Sequence, residues 1–337
     1  MTLRPKLEEI ARVAGVSKAT VDRVLNNRAG VQGHTRAHVL AVANELSGLG
    51  SSARANSVAL DFVLPGGDNE FIADLASQIE HQMRKRGDVD IRVHRVEGID
   101  PDEIATRLAT LRPGCQGVGL VGLDSPSVRE AVRKLIASGL PVLTLVSDIT
   151  HVGRFNYVGI DNRAAGRLAG YLIGRFLPGA AGKVALIAGA LAYRGHEERE
   201  MGFRHVLRER FPNLSITAER EVQESADRAY SEVKNLLAEH QDLKAIYCIG
   251  AGQDGVGRAL VESGRENDVV FIGHDLTDHS RAALLSGVMD AVIDQNSIVE
   301  GREAVDRLVR AVRQDQDIST ATVRIQSVFR ENIPSDV

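Results

Sequence analysis

From Val58 onward, short apolar runs alternate with longer amphipathic stretches, and this alternation restricts the possible folds more than any other feature of the chain. The runs predict strands at 58–64, 91–96, 117–122, 141–147, 156–161, 183–189, 215–222, 245–250, 269–275 and 290–295. The stretches between them predict helices at 72–86, 102–111, 126–138, 163–176, 197–210, 225–239, 254–263, 278–286 and 298–313. Strands that alternate with such helices form parallel sheets covered on both faces, which is an α/β architecture. These strands are too many for one open sheet, so we expect a two-lobed core of doubly wound parallel sheets.

Polar side chains follow several of the predicted strands at the point where each strand ends. Asp148, Asp161, Asp275 and Gln295 stand at such ends, and the first strand leads into Gly-Gly-Asp-Asn-Glu-Phe at 66–71. Any one of them could simply cap a helix or make a turn. Doubly wound sheets, however, bind ligands beyond the carboxyl ends of their strands. Their recurrence at strand ends therefore predicts a shared ligand cleft.

The first 50 residues follow a different pattern, which is that of three short helices. Residues 6–26 predict two amphipathic helices joined by a turn at Gly15, where glycine tolerates a positive φ. Ser17 stands at the N-cap position of the second helix, and residues 35–46 predict a third helix. Two helices around a glycine turn also occur in proteins that bind no nucleic acid. The third helix favours an all-α helix-turn-helix headpiece, whose second helix would enter the major groove of DNA.

The distribution of charge supports a nucleic-acid partner. Residues 1–56 hold eight Lys or Arg and four Asp or Glu residues. The rest of the chain holds 33 Lys or Arg and 41 Asp or Glu residues, and the overall net charge is −4. A basic segment on an acidic body is typical of a phosphate-binding module. Between the two parts, residues 47–57 are rich in Gly, Ser and Ala, a composition typical of linkers.

Several other function classes find no support in the sequence. No apolar run reaches the roughly 18 residues that span a bilayer, so we expect no membrane segment. The start, MTLRPKLEEI, lacks an apolar signal region, so we expect a cytoplasmic location and free thiols at Cys115 and Cys248. We find neither metal-ligand spacing nor a nucleophilic triad, so we expect no catalytic residues, no metal and no cofactor.

With these residues in view, the chain resembles the lac-repressor-type (LacI/GalR) transcription regulators. LEEIARVAGVSKATVDRVLNNRAGV followed by TRAHVLAVANEL is similar to their headpiece, and the remainder is similar to their sensor core and to periplasmic sugar-binding proteins of type I. The resemblance implies that Lys18, Ala19 and Arg23 contact base edges, and that DNA backbone contacts or register involve Ser17, Thr20, Asn26 and Thr35. For the core it implies an effector site formed by Asn69, Phe71, Asp148, Arg199, Asp275 and Gln295.

The resemblance also implies an organisation and a mechanism. The expected domains are a headpiece at 1–50, a linker at 51–57 and an effector-binding core at 58–337. Within the core we expect an N-terminal lobe at 58–160 and 296–322, and a C-terminal lobe at 161–295 and 323–337. A homodimer would bind operator DNA, most simply as a repressor. A sugar, polyol or sugar acid bound between the lobes would change its DNA affinity.

The chain departs from the family pattern at a few positions. Asp22 stands where a small hydroxyl residue is usual, and its carboxylate would repel phosphate unless Arg23 or Arg28 pairs with it. No leucine lies between Leu49 and Val58, which puts the leucine wedge that bends DNA in doubt. In the core, Val146 replaces a common sugar-binding aspartate.

Two alternatives share parts of these patterns. Gly-Ala-Gly-Gln-Asp-Gly at 250–255, with Asp275 about 25 positions later, is close to a dinucleotide fingerprint and would suit an NAD-dependent oxidoreductase. Nothing nearby suggests a hydride-transfer acid or base. An exported sugar-binding receptor would share the core, but the basic headpiece and the missing signal region argue against it.

Overall fold

The computed structural model describes residues 6–335 except 27, 29, 47–56 and 180, with backbone alone at 44–46. The predicted linker at 51–57 therefore lies almost wholly outside the described residues. Contacts between Cα atoms divide the chain into two compact units, residues 1–58 with 83–90 and residues 59–82 with 91–337.

Three helices form the headpiece, namely α1 (Leu7–Val13), α2 (Lys18–Leu25) and α3 (Gly33–Leu46). Their apolar faces meet in a small core of Ile10, Ala14, Val21, Val24, Val39, Val42 and Ala43. Gly15 turns the chain between α1 and α2 with φ at +62°. Ser17 caps α2, because its Oγ accepts the Thr20 N–H at 3.1 Å. The predicted helix-turn-helix is present, including its N-cap.

A five-stranded sheet follows, with the order β2-β1-β3-β4-β5. Its strands are β1 (Val58–Pro65), β2 (Val89–Val96), β3 (Gly117–Leu120), β4 (Val142–Leu145) and β5 (Asn156–Val158). The helices between these strands are α4 (Glu70–Lys85), α5 (Pro101–Ala109) and α6 (Pro126–Ala137). β1, β3, β4 and β5 pair in parallel, and β3 and β4 are buried along their whole length, as expected for a covered parallel sheet.

The second sheet has six strands in the order β11-β10-β9-β8-β6-β7. These are β6 (Gly182–Ala188), β7 (Leu214–Glu221), β8 (Leu243–Cys248), β9 (Val270–His274), β10 (Ala291–Asp294) and β11 (Gln326–Val328). The chain enters it through α7 (Asn162–Phe176), and its strands are separated by α8 (Arg194–Arg210), α9 (Ala226–Glu239), α10 (Gln253–Glu262) and α11 (Asp278–Ser286). β11 runs antiparallel to β10 and is followed by a 3₁₀ turn at Arg330–Asn332. The sequence patterns did not predict β11.

The chain passes between the two sheets three times, as the resemblance implies. It leaves the first sheet after β5 and returns after β10 as α12 (Ser297–Val312), which packs against β3, β4 and β5. It then crosses back to form β11. The exact domain and lobe boundaries remain predictions.

Helices α7 and α8 approach each other closely because glycines line their contact. A Cβ at Gly166 would overlap the carbonyl oxygen of Arg199, and one at Gly202 would overlap the carbonyl oxygen of Arg163. One helical turn after Gly166, a Cβ at Gly170 would lie 3.2 Å from the carbonyl oxygen of Phe203. This contact fixes the position of α8 and of the side chains it carries.

Two features are absent from the described residues. None of the helices there is both long and apolar enough to cross a membrane. The same residues contain no cluster of three or more His, Cys, Asp or Glu side chains arranged to hold a metal ion.

Candidate ligand-binding and nucleic-acid-binding sites

Side chains from both sheets converge on one cleft, which leaves about 420 Å³ of space unfilled by atoms. This space includes open solvent at the mouth of the cleft. The lining residues are Asn69, Phe71, Ile72, Val121, Val146, Ser147, Tyr193, Gly195, His196, Arg199, Glu224, Gly250, Ala251, Asp275 and Gln295. An adjoining outer pocket shares several of them and adds Asp68, Glu70, Ala226, Gly252, Gln253, Asp254, Thr277 and His279. Five of the six predicted effector residues therefore come together: Asn69, Phe71, Arg199, Asp275 and Gln295.

Arg199 is the buried cation of this cleft, with 2% of its surface exposed. Its Nε donates to Asn162 Oδ1 at 2.7 Å, and Nη1 donates to the carbonyl oxygen of Ile249 at 2.8 Å. Asn162 is held in turn, since its Nδ2 donates to the carbonyl oxygen of Val146 at 3.1 Å. Among the described residues, Nη2 of Arg199 has no hydrogen-bond partner. The guanidinium is thus oriented on one side and retains donors for a ligand.

Asp275 and Gln295 follow β9 and β10 and form a buried pair. Gln295 Nε2 donates to Asp275 Oδ1 at 2.8 Å, and Asp275 adopts a left-handed backbone with φ at +66°. Burial raises the pKa of Asp275 to about 7, although the nearby Arg199 and the Gln295 amide oppose the shift. Oε1 of Gln295 is buried and accepts no hydrogen bond from the described residues. The pair therefore offers two acceptors to a ligand with hydroxyl or amine donors.

Glu224 joins the site from the loop after β7 and connects it to the opposite lobe. Asn69 Nδ2 donates to Glu224 Oε2 at 2.6 Å, and the Asn69 side chain also caps α4 by accepting the Ile72 N–H at 3.2 Å. Burial raises the pKa of Glu224, and the Asn69 amide opposes this effect. The sequence patterns missed Glu224. It could have been found as a polar residue just beyond a strand end.

Tyr193 and His196 line the cleft and Asn162 supports Arg199, although none of the three was assigned to the effector site from the sequence. Asn162, which begins α7, orients Arg199, and Tyr193 lies edge-on to His196 with ring centroids 5.2 Å apart. His196 is fully buried, and burial together with the charge of Arg199 lowers its pKa to about 3. The imidazole is therefore neutral at physiological pH and adds no positive charge to the cleft.

Asp148 is the predicted effector residue that the structure does not bring to the cleft. Its carboxylate accepts hydrogen bonds from Thr144 Oγ1 at 2.7 Å, from the Ile149 N–H at 2.8 Å and from the Arg154 guanidinium at 2.5 Å. Val146 and Ser147 line the cleft instead. Asp148 is engaged in holding its own loop and does not take the ligand position that Val146 leaves without a carboxylate.

The glycines of the 250–255 loop are explained by packing within the protein. A Cβ at Gly250 would lie 2.6 Å from the His196 ring, and one at Gly255 would overlap the carbonyl oxygen of Ala226. Gly252 adopts φ of +104° before α10. These requirements account for the fingerprint-like spacing without a bound pyrophosphate, so the geometry does not favour the dinucleotide alternative.

The headpiece presents the predicted DNA-contacting residues on and around α2. Ser17, Lys18, Ala19, Arg23 and Asn26 are exposed, whereas Thr20 and Thr35 are half-buried. Lys18 Nζ forms an ion pair with Glu8 Oε1 at 2.6 Å. Ser17 Oγ and Thr20 Oγ1 lie 2.8 Å apart, and Thr35 Oγ1 lies 3.2 Å from His34 Nε2. Thr35 lies on α3 and the other six lie on or next to α2, and the contacts of all seven with DNA remain a prediction.

Asp22 is paired with a neighbouring cation and an amide. Its Oδ2 forms an ion pair with Arg28 Nη1 at 3.2 Å, and its Oδ1 accepts Asn26 Nδ2 at 2.8 Å. Of the two partners considered from the sequence, Arg28 is the one observed. The carboxylate thus restrains a cation and an amide that could otherwise contact DNA.

We expect Asp22→Ser to raise DNA affinity about 3- to 10-fold at low salt, because it removes a negative charge and releases Arg28 and Asn26. The slope of log affinity against log salt should become steeper by about one ion. A fluorescence-anisotropy titration at several salt concentrations measures both quantities. Glu9→Gln, which removes a charge from α1, is the matched control, and an equal gain there would contradict the role of Asp22.

Comparison with known proteins agrees with this architecture. A family model described as "Periplasmic binding protein domain" matches residues 58–316, and one described as "Bacterial regulatory proteins, lacI family" matches residues 6–47. The chain is a LacI-type regulator with a periplasmic-binding-protein core. The fold class expected from the sequence is thereby confirmed, as are its helix-turn-helix headpiece and its two-sheet core.

Several proteins that are similar to this core carry the name of a sugar. The regulator is 23% identical over 258 residues to the D-apiose import binding protein of Paraburkholderia graminis, which covers 75% of this chain and 80% of that protein. It is 24% identical over 209 residues to the ribose import binding protein RbsB of Escherichia coli, covering 62% and 69% respectively. A solute-binding protein from Burkholderia graminis in complex with D-arabinose superposes with a TM-score of 0.77 at 22% identity, covering 83% of this chain and 98% of that one.

Proposed function

We propose that this regulator binds operator DNA as a homodimer and that a small hydroxylated effector in the cleft changes its DNA affinity. The observation that carries the proposal is the arrangement of the cleft. The open donors of Arg199 and the acceptors of Asp275 and Gln295 converge beside the Phe71 ring, in a chain whose headpiece has exposed basic residues on α2. We place the protein in the cytoplasm and assign it the role of a repressor.

The chemistry of the cleft favours a sugar or polyol over a purely apolar ligand. Hydroxyl groups both donate and accept hydrogen bonds, so they can satisfy a guanidinium, a carboxylate and an amide oxygen at the same time. Phe71, which is 6% exposed, offers an aromatic wall for the apolar side of a sugar ring. The named sugars of the relatives support the same class.

Contacts across the cleft suggest how binding could be transmitted. Asn69 and Glu224 connect the two lobes at 2.6 Å, and Glu70 Oε1 lies 2.6 Å from His279 Nδ1. A ligand that replaces or reinforces these contacts would shift the balance between open and closed lobes. A coupling of about 1 to 3 kcal/mol corresponds to roughly 5- to 150-fold in operator affinity.

The test combines a deletion with a point variant. We expect removal of residues 1–56 to abolish operator binding in a gel-shift assay while the core keeps its melting transition. The full-length double variant Lys18→Ala with Arg23→Ala should lose at least tenfold in specific affinity and keep any effect of D-ribose, D-allose or D-arabinose on its melting temperature. Operator binding by the deletion variant would refute the proposal. Stabilisation by NAD rather than by any of these sugars would instead favour the oxidoreductase alternative.

A further inference from the structure

We propose that the effector of this cleft carries a protonated amine as well as hydroxyl groups, as amino sugars and amino polyols do. The inference rests on the proposed function of the cleft as an effector site, and it specifies the ligand more closely. Three observations carry it: the charge of the lining, the unsatisfied acceptors within it, and the environment of Glu224.

The lining of the cleft and its outer pocket is predominantly acidic. Five carboxylates face this space, whereas the Arg199 guanidinium is the one Lys or Arg side chain among the described lining residues. Two of the five have partners in the outer pocket region, since Asp254 pairs with Arg258 at 3.3 Å and Glu70 with His279. Glu224 and Asp275 lie deeper and contact amides rather than cations. Acidic side chains therefore outnumber basic ones where a ligand would bind.

The unsatisfied groups of the inner cleft are mostly acceptors. Oε1 of Glu224 and Oε1 of Gln295 are buried and accept no hydrogen bond of ordinary geometry from the described residues. Gln253 Oε1, in the outer pocket, is also buried and accepts no hydrogen bond from the described residues. Buried acceptors without donors are costly, and an ammonium group supplies three donors at one point. A neutral hydroxyl supplies one.

Glu224 is positioned by the fold rather than by a charge partner. A Cβ at Gly189 would overlap Glu224 Oε1, and one at Gly250 would lie 3.1 Å from it, so the two glycines make room for this carboxylate. The neighbouring His196 ring is neutral, and Arg199 donates to Asn162 and Ile249 instead. The fold therefore presents the Glu224 side chain to a bound ligand, with Asn69 holding it in place. A carboxylate on the ligand would be repelled here, which argues against a sugar acid.

The experiment compares matched ligands that differ in a single group. Calorimetry on the full-length protein would use D-glucosamine with D-glucose, D-galactosamine with D-galactose, and 2-amino-2-deoxy-D-ribose with D-ribose. We expect the amine of at least one pair to bind 10- to 100-fold more tightly than its hydroxyl parent, as charge-assisted hydrogen bonds imply. Glu224→Gln should remove this preference, so that each amine then binds no more tightly than its hydroxyl parent, while the Gln side chain can still accept a hydrogen bond from Asn69.

Asp227→Asn is the matched control. Asp227→Asn removes an exposed carboxylate three residues from Glu224 and outside the cleft lining, where it pairs with Arg258 at 2.9 Å, and should keep the amine preference. Equal or weaker binding of every amine, including no binding of any, overturns the inference. So does a preference that survives Glu224→Gln in a variant with an unchanged melting temperature. Tight binding of a neutral sugar alone would overturn it while leaving the effector role of the cleft intact.

Discussion

Replacing Asp275 by Asn is expected to stabilise the regulator at pH 8 and to weaken effector binding by about 10- to 100-fold. Asp275 has an ordinary pKa of 3.8 when the chain is unfolded, and burial raises it to about 7 in the folded protein. At a pH between these two pKa values, the Asp275 carboxyl group holds a proton in the folded protein that it has released in the unfolded chain. Its stability therefore falls as the pH rises through this window, by up to about 1.4 kcal/mol per unit.

Asparagine avoids this cost because it does not ionise. Its Oδ1 can still accept the Gln295 amide, so the variant should show a flatter dependence of unfolding free energy on pH between about 4 and 7. It should lose effector affinity, since a carboxylate forms stronger hydrogen bonds to ligand donors than an amide does. Urea unfolding at pH 4 to 8 and calorimetry at pH 8 measure the two effects.

Asp148→Asn is the matched control for this prediction. Asp148 lies outside the cleft and accepts the Arg154 guanidinium, so its neutral variant should lose about 1 to 3 kcal/mol of stability and retain effector affinity. If Asp275→Asn also destabilised the protein at pH 8, or if it bound the effector normally, the buried acceptor role of Asp275 would be refuted.

The sequence predicted the positions of strands and helices well because their burial patterns are strong. β3 and β4 are buried throughout, and α4, α6 and α12 each combine a buried apolar face with a polar one. β11 escaped prediction because it has three residues, of which Val328 alone is fully buried. Its pairing with β10 depends on the long return of the chain, which local patterns do not encode.

The cleft was predictable where a ligand position follows directly from a strand end. Asp275 and Gln295 follow β9 and β10, and the parallel sheet brings neighbouring ends together. Contrary to the expectation from the sequence, Asp148 does not reach the cleft, because the backbone beyond β4 turns at Val146, whose φ is +61°. The Asp148 carboxylate then accepts hydrogen bonds from Arg154. Glu224 was missed for a related reason. Gln223 and Glu224 both adopt positive φ, which is rare for these residue types and which no local sequence signal indicates.

The contact between α7 and α8 shows how strongly the site depends on backbone packing. Gly166→Ala is expected to destabilise the protein by more than about 2 kcal/mol, because the added methyl group meets the backbone of Arg199 rather than a flexible side chain. If α8 moves away to relieve the overlap, the hydrogen bond from Arg199 Nε to Asn162 lengthens. Effector affinity should then fall at least tenfold. Urea unfolding and calorimetry with the same ligand give both numbers.

Gly170→Ala tests whether the effect comes from this close approach or from the loss of any glycine in α7. Its Cβ would lie 3.2 Å from the Phe203 carbonyl oxygen, a contact that small shifts can relieve. Alanine also favours a helix over glycine by about 1 kcal/mol, so this variant should be nearly neutral in stability and in affinity. Similar behaviour of the two variants would contradict the proposed positioning of Arg199 by the helix contact. A large loss confined to Gly166→Ala would show that the spacing of α7 and α8 places the guanidinium in the cleft.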